Sequence, residues 1–159
     1  MVQAEKNRLS VHRLKPYTSW SDYSVKIEAA LSAYIKHIGF DGVSRIGLRY
    51  INEIRGAATD FKDVFNLYIE LPRQVEGELQ SFFSGMLLKV KDDDSLRINV
   101  GDQRDEAAKF FVLDLDYFKD TPIQPKEAAI LEWTHSAHSV MDNLFEALLT
   151  SQMKGVFDK

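Results

Sequence analysis

The stretch 43–55 constrains the fold more than any other part of this 159-residue chain. Ile46, Leu48, Tyr50 and Ile54 fall on one side of a period-two pattern, and Arg45, Gly47, Arg49, Glu53 and Arg55 fall on the other, together with Ile51. Successive side chains of a strand point to opposite faces, so this pattern predicts an extended segment with one dry face and one charged face. Such a strand needs neighbours. A segment at 8–15, with Leu9 and Val11 alternating with polar residues, ends at Pro16. Three more strands are predicted at 79–91, 96–100 and 109–118. In the first of these Phe82, Met86, Leu88 and Val90 point inward, and Asp92 to Ser95 supply the turn that follows. Their short connections favour antiparallel neighbours, because parallel pairing needs a long crossover.

Helical periodicity separates these strands. Ser19 is placed to cap a helix whose first turn holds Asp22. Trp20, Tyr23, Ile27, Leu31, Tyr34, Ile35 and Ile38 recur along it, and Gly39 closes it. Thr59 or Asp60 caps a short helix carrying Phe61, Val64, Phe65, Tyr68 and Leu71, stopped by Pro72. A long helix over 126–149 has the stripe Ile130, Trp133, Ala137, Met141, Leu144, Phe145 and Leu148, and Thr150 caps a last turn with Met153, Val156 and Phe157. The order is β-α-β-α-β-β-β-α. It predicts a single α+β domain over 1–159, with a mostly antiparallel sheet of about five strands, helices on one face and a helix-grip-like arrangement.

Composition fits that reading and removes several classes of function. Hydrophobic residues make up 45% and charged residues 28%, a globular balance, and without cysteine there is no disulfide, iron–sulfur cluster or thiolate zinc site. No apolar run approaches the ~18–20 residues of a membrane helix, and the polar start is unlike a secretory signal. The expected setting is cytoplasmic, with no membrane contact. A net charge of −4 without a basic tail disfavours nucleic acid as a partner.

The charged side of 43–55 holds the candidate site. Arg45 and Arg49 point the same way with Gly47 between them, Arg55 extends the row, and Tyr50 and Asn52 are near in sequence. Paired guanidinium groups suit bidentate binding of a carboxylate or phosphate, or else cross-strand ion pairs with residues such as Asp114 or Asp116. Asp114 and Asp116, within the run Asp-Leu-Asp-Tyr-Phe-Lys, also resemble the magnesium-holding strand of palm-type nucleotide enzymes. The element order departs from a palm, since only a helix follows and no second acidic hairpin exists. Glu132, His135, His138 and Asp142 contain a Glu-x-x-His step of the di-iron kind, for which the first helix offers only Asp22 and Glu28 as loosely matching carboxylates. No nucleophile elbow or phosphate loop occurs, so no catalytic set and no cofactor are expected.

The run Arg45-Ile46-Gly47-Leu48-Arg49-Tyr50-Ile51-Asn52-Glu53-Ile54 resembles the most recognisable motif of a sporadically distributed bacterial family that has no assigned activity. Two further stretches fit the same pattern, Pro16-Tyr17-Thr18-Ser19-Trp20 and the ending Phe145-Glu146-Ala147-Leu148-Leu149-Thr150. The resemblance implies a bacterial cytoplasmic setting and a longer parent protein, with an N-terminal segment absent here. It also fits an accessory role of the defence or toxin–antitoxin kind. Together these expectations favour a non-enzymatic interaction or ligand-binding module, a homodimer or a protein partner covering the open sheet face. The alternative is a magnesium-dependent nucleotide- or phosphate-processing domain.

Overall fold

The computed structural model describes residues 1–55, 60–68, 72–77, 79–91, 93–106, 108–124 and 126–157. In chain order these form β1 (Val2–Glu5), β2 (Arg8–Val11), α1 (Trp20–His37), β3 (Ile46–Ile54), α2 (Phe61–Val64), β4 (Phe83–Lys89), β5 (Ser95–Arg104), β6 (Lys109–Lys119), α3 (Glu127–Leu148) and α4 (Ser151–Phe157). The class is α+β with antiparallel sheets. Strands β3-β6-β5-β4 make a four-stranded sheet, and β1-β2 make a separate two-stranded one. The five-strand expectation is corrected here. The first predicted strand stops at Val11 and pairs with the polar segment before it, Val2 opposite Val11 and Glu5 opposite Arg8. The turn at Lys6 and Asn7 brings these segments together over a very short loop, so the pairing has little closure entropy to overcome.

Residue contacts divide the chain into two compact units, Met1–Ile46 with Asp120–Ser136, and Gly47–Lys119 with Ala137–Lys159. In the first unit Ser19 caps α1, its Oγ accepting the Asp22 N–H at 3.1 Å. Gly39 follows the helix at φ +69, a left-handed conformation that only glycine adopts without strain. Two tyrosines of α1 tie down the hairpin. Tyr23 donates its hydroxyl to the Val11 carbonyl at 2.6 Å, and Tyr34 donates to the Glu5 carbonyl at 2.9 Å.

The second unit is built on β6, which lies between β3 and β5. Odd-numbered residues of β6 face the core, and Leu113 and Leu115 are completely buried, as are Val100 on β5 and Met141 on α3. Gly47 of β3 lies against Phe118, and Asn52 reaches the Leu113 carbonyl, so β3 and β6 run in opposite senses. The same face carries a ring cluster in which Phe61 packs on Phe65, Phe82 and Phe111. The part of α3 from Ala137 onward is joined to this face by a 2.9 Å hydrogen bond between the Tyr50 hydroxyl and His138 Nδ1. Thr150 precedes α4, accepting the Met153 N–H at 3.2 Å while donating to the Asp63 carbonyl.

Two local expectations are also corrected. The short helix ends at Val64, and Tyr68 is exposed rather than packed; Thr59 and Leu71 lie outside the described residues. The strand predicted over 79–91 occupies only Phe83–Lys89, and Met86, Leu88 and Val90 all remain exposed. As the last strand in the sheet order, β4 has a neighbour on one side only among the described residues, so an inward-pointing side chain there does not become a dry one. The turn after it has Asp93 at φ 67 and the Asp94 N–H donating to the Lys91 carbonyl; Asp92 is outside the described residues.

Candidate functional site

Alternation along β3 sends Arg49 to the face opposite Leu48 and Tyr50. There it meets β6. Arg49 donates through Nε to Asp114 Oδ1 at 2.7 Å and through Nη2 to Oδ2 at 2.8 Å, a two-pronged guanidinium–carboxylate pair. Asn99, directly across from Asp114 in the β5–β6 register, donates its amide to the same Oδ2 at 3.1 Å. One register step of two residues away, Arg97 stands across from Asp116, with Nη1 at 3.7 Å from Oδ2. Gly47 leaves the space beside Asp116 open, since a Cβ there would lie 3.7 Å from Asp116 Oδ1.

The other candidates go elsewhere. Arg45, in the first unit, pairs with Asp120. Arg55 donates to Asp105 at 2.7 Å and to Glu53 at 3.3 Å, with its guanidinium 3.8 Å from the Phe110 ring centroid. Tyr50 and Asn52 point to the core side, engaged by His138 and by the Leu113 carbonyl. Each arginine of the row is therefore matched by a carboxylate. Sequence reasoning named Asp114 and Asp116 as possible cross-strand partners. It missed Arg97 and Asn99, although both occupy the polar positions of an alternating segment.

Two opposed effects set the charge state of Asp114. Burial pushes its carboxyl upward, but the hydrogen bonds from Arg49 and Asn99 outweigh that and hold it below the ordinary value of 3.8. Arg49 is raised by the same contact. Asp102 behaves alike: burial raises it, while the Phe82 N–H, 2.6 Å away, and Lys109 bring it below the ordinary range. A carboxyl depressed in the folded state contributes stability that is complete above its unfolded pKa and disappears as pH falls through the folded one. Urea unfolding should therefore weaken steeply only as pH drops below about 4. Asp114→Asn should flatten part of that fall, by less than about 1 kcal/mol because Arg49 is more than half exposed. An identical acid profile for the variant would show that the pair contributes nothing.

Among the described residues no group of three or more His, Asp or Glu converges as a metal site would require. Asp114 is already occupied by Arg49 and Asn99. Of the helical set, His135 accepts from the Trp20 indole at 3.2 Å and His138 is joined to Tyr50. No described helix is long and apolar enough to cross a membrane.

What this face presents is a charge-balanced polar platform on β3, β6 and β5, bordered by apolar side chains. Ile51 is exposed on β3, and on β4 Phe83 and Leu87 are 75% and 64% exposed. No protein-family model matches the chain, and comparison with curated proteins and with solved structures also returns no match.

Proposed function

We propose that this chain is a non-enzymatic interaction module that self-associates through the open edge of its four-stranded sheet. The observation that carries this reading is β4, an outermost strand on which Phe83, Met86, Leu87 and Leu88 are all exposed. Outermost strands of monomers are ordinarily protected by charges, proline or a covering element, and contiguous exposed apolar groups mark association surfaces. The arginine–carboxylate pairs support the same role, since paired charges can enter an interface without leaving a lone ion in a dry environment. The proposed setting, an accessory system in a bacterial cytoplasm, rests on the resemblance of the Arg45 to Ile54 run and of the chain's ending. Light scattering over a concentration series tests the reading, with a mass approaching twice that of the chain expected at high concentration. A thermal shift with nucleotide that requires magnesium and disappears in Asp116→Ala would replace this reading with an enzymatic one.

A further inference from the structure

The backbone of β4 specifies how two copies would join. The Asp102 N–H donates to the Phe82 carbonyl, and the Val90 N–H donates to the Asp94 carbonyl. These bonds flank the β4–β5 ladder, whose register runs from Phe83 opposite Gly101 to Lys89 opposite Ser95. In an antiparallel ladder hydrogen-bonded pairs alternate with pairs that are not bonded. Ser84, Met86 and Leu88 therefore bond inward to β5. Phe83, Gly85, Leu87 and Lys89 turn their N–H and C=O groups to the open side.

We propose that β4 pairs antiparallel with β4 of a second copy about a two-fold axis at Met86, joining two four-stranded sheets into one of eight strands. This deepens the self-association reading and rests on it. The register is the one that pairs the strand over its whole length with bonding positions opposite bonding positions. Phe83 then faces the second copy's Lys89, an aromatic ring beside an ammonium group, and Leu87 faces the second copy's Gly85. A Cβ at Gly85 would crowd Asn99 Oδ1 at 3.0 Å and touch the Phe83 ring at 3.7 Å, so without one the second copy's Leu87 can come close to the backbone beside that ring. On the other face Met86 meets Met86 and Ser84 meets Leu88.

Charge supports the antiparallel sense. The one charged residue of the strand, Lys89, is carried to the far end of its partner, whereas parallel in-register pairing would set Lys89 on Lys89. The opposite outer strand, β3, is a poorer template, with Arg49 and Glu53 among its exposed positions. A strand pair of this length covers roughly 400 Å² per partner, about half of a standard interface, so the dimer should be concentration-dependent.

Two sets of variants test the pairing. Leu87→Lys introduces a charge at the centre of the join. Leu87→Pro removes an N–H that points away from β5 and leaves the β4–β5 ladder bonded. Both should stay at one chain mass across about 1–500 μM, with unchanged far-UV circular dichroism, while the native chain rises towards two. The chain has no cysteine, so single thiols report the register cleanly. In a non-bonded pair the two Met86 Cα atoms would be about 4.5 Å apart, within disulfide range, whereas the two Ser84 positions would be offset by roughly 13 Å along the strands. Met86→Cys should cross-link on mild oxidation at least ten times faster than Ser84→Cys. A dimer that survives both Leu87 variants, or equal cross-linking of the two thiols, overturns this pairing and leaves association through another surface. A native chain that remains monomeric throughout overturns both readings.

Discussion

Leu113→Ala should lower the unfolding free energy by about 3–4 kcal/mol, the largest single effect expected in this chain. Leu113 sits on the strand with neighbours on both sides, and its side chain has no exposed surface. Truncation removes the transfer free energy of the lost carbons and leaves a cavity that ring neighbours such as Phe111 are too constrained to fill. Urea denaturation should show a lower midpoint with an unchanged slope. Leu87→Ala, the same chemical change on β4, should shift the midpoint of the monomer by less than about 1 kcal/mol, because that side chain is already in water. Equal losses at the two positions would contradict the burial difference between the middle and the outside of the sheet.

The second large effect is expected at the turn between β4 and β5. Asp94 is buried there, accepting the Tyr117 hydroxyl at 2.8 Å, with Lys119 Nζ 3.7 Å from its other oxygen. A charged acceptor strengthens that bond, and its removal takes a partner from a phenol that lies inside the protein. Asp94→Ala should cost about 2–3 kcal/mol and Tyr117→Phe about 1–2 kcal/mol. The double variant should lose about 1 kcal/mol less than their sum, because the second change removes a group already deprived of that partner. Strict additivity would mean that the two side chains are not energetically linked.

Legibility in the sequence followed the range of the forces involved. Helix α1 could be read from its own residues, since Ser19, Asp22 and Gly39 act within a turn of the backbone they cap. The same holds for the two sides of β3, because alternation is a local property. Strand β1 was not legible: Val2–Glu5 is four residues long, too short for its alternation to stand out, and becomes a strand through its pairing with Arg8–Val11. On β4 the alternation was visible but the burial was not. Dryness depends on what lies beside a strand, and sheet order is decided by distant segments. The candidate site divides in the same way. That Arg49 faces away from the core followed from parity with Leu48, and Asp114 was a nameable partner. That Arg45 would find Asp120 and Arg55 would find Asp105 depends on loop ends brought close only by folding.

Asp102 gives β4 a further property. Its carboxylate grips the Phe82 N–H just before the strand begins, while the Val90–Asp94 bond holds the chain just after it ends. Tied at both extremities and paired along its length with β5, the strand is already extended before anything meets it. A segment that must be immobilised on docking forfeits roughly 1–2 kcal/mol of backbone freedom per residue, and this one has relinquished that freedom within the monomer. Under the proposed β4 pairing, even a small contact area then suffices for measurable association, and loosening either clamp should weaken it without altering any atom at the join.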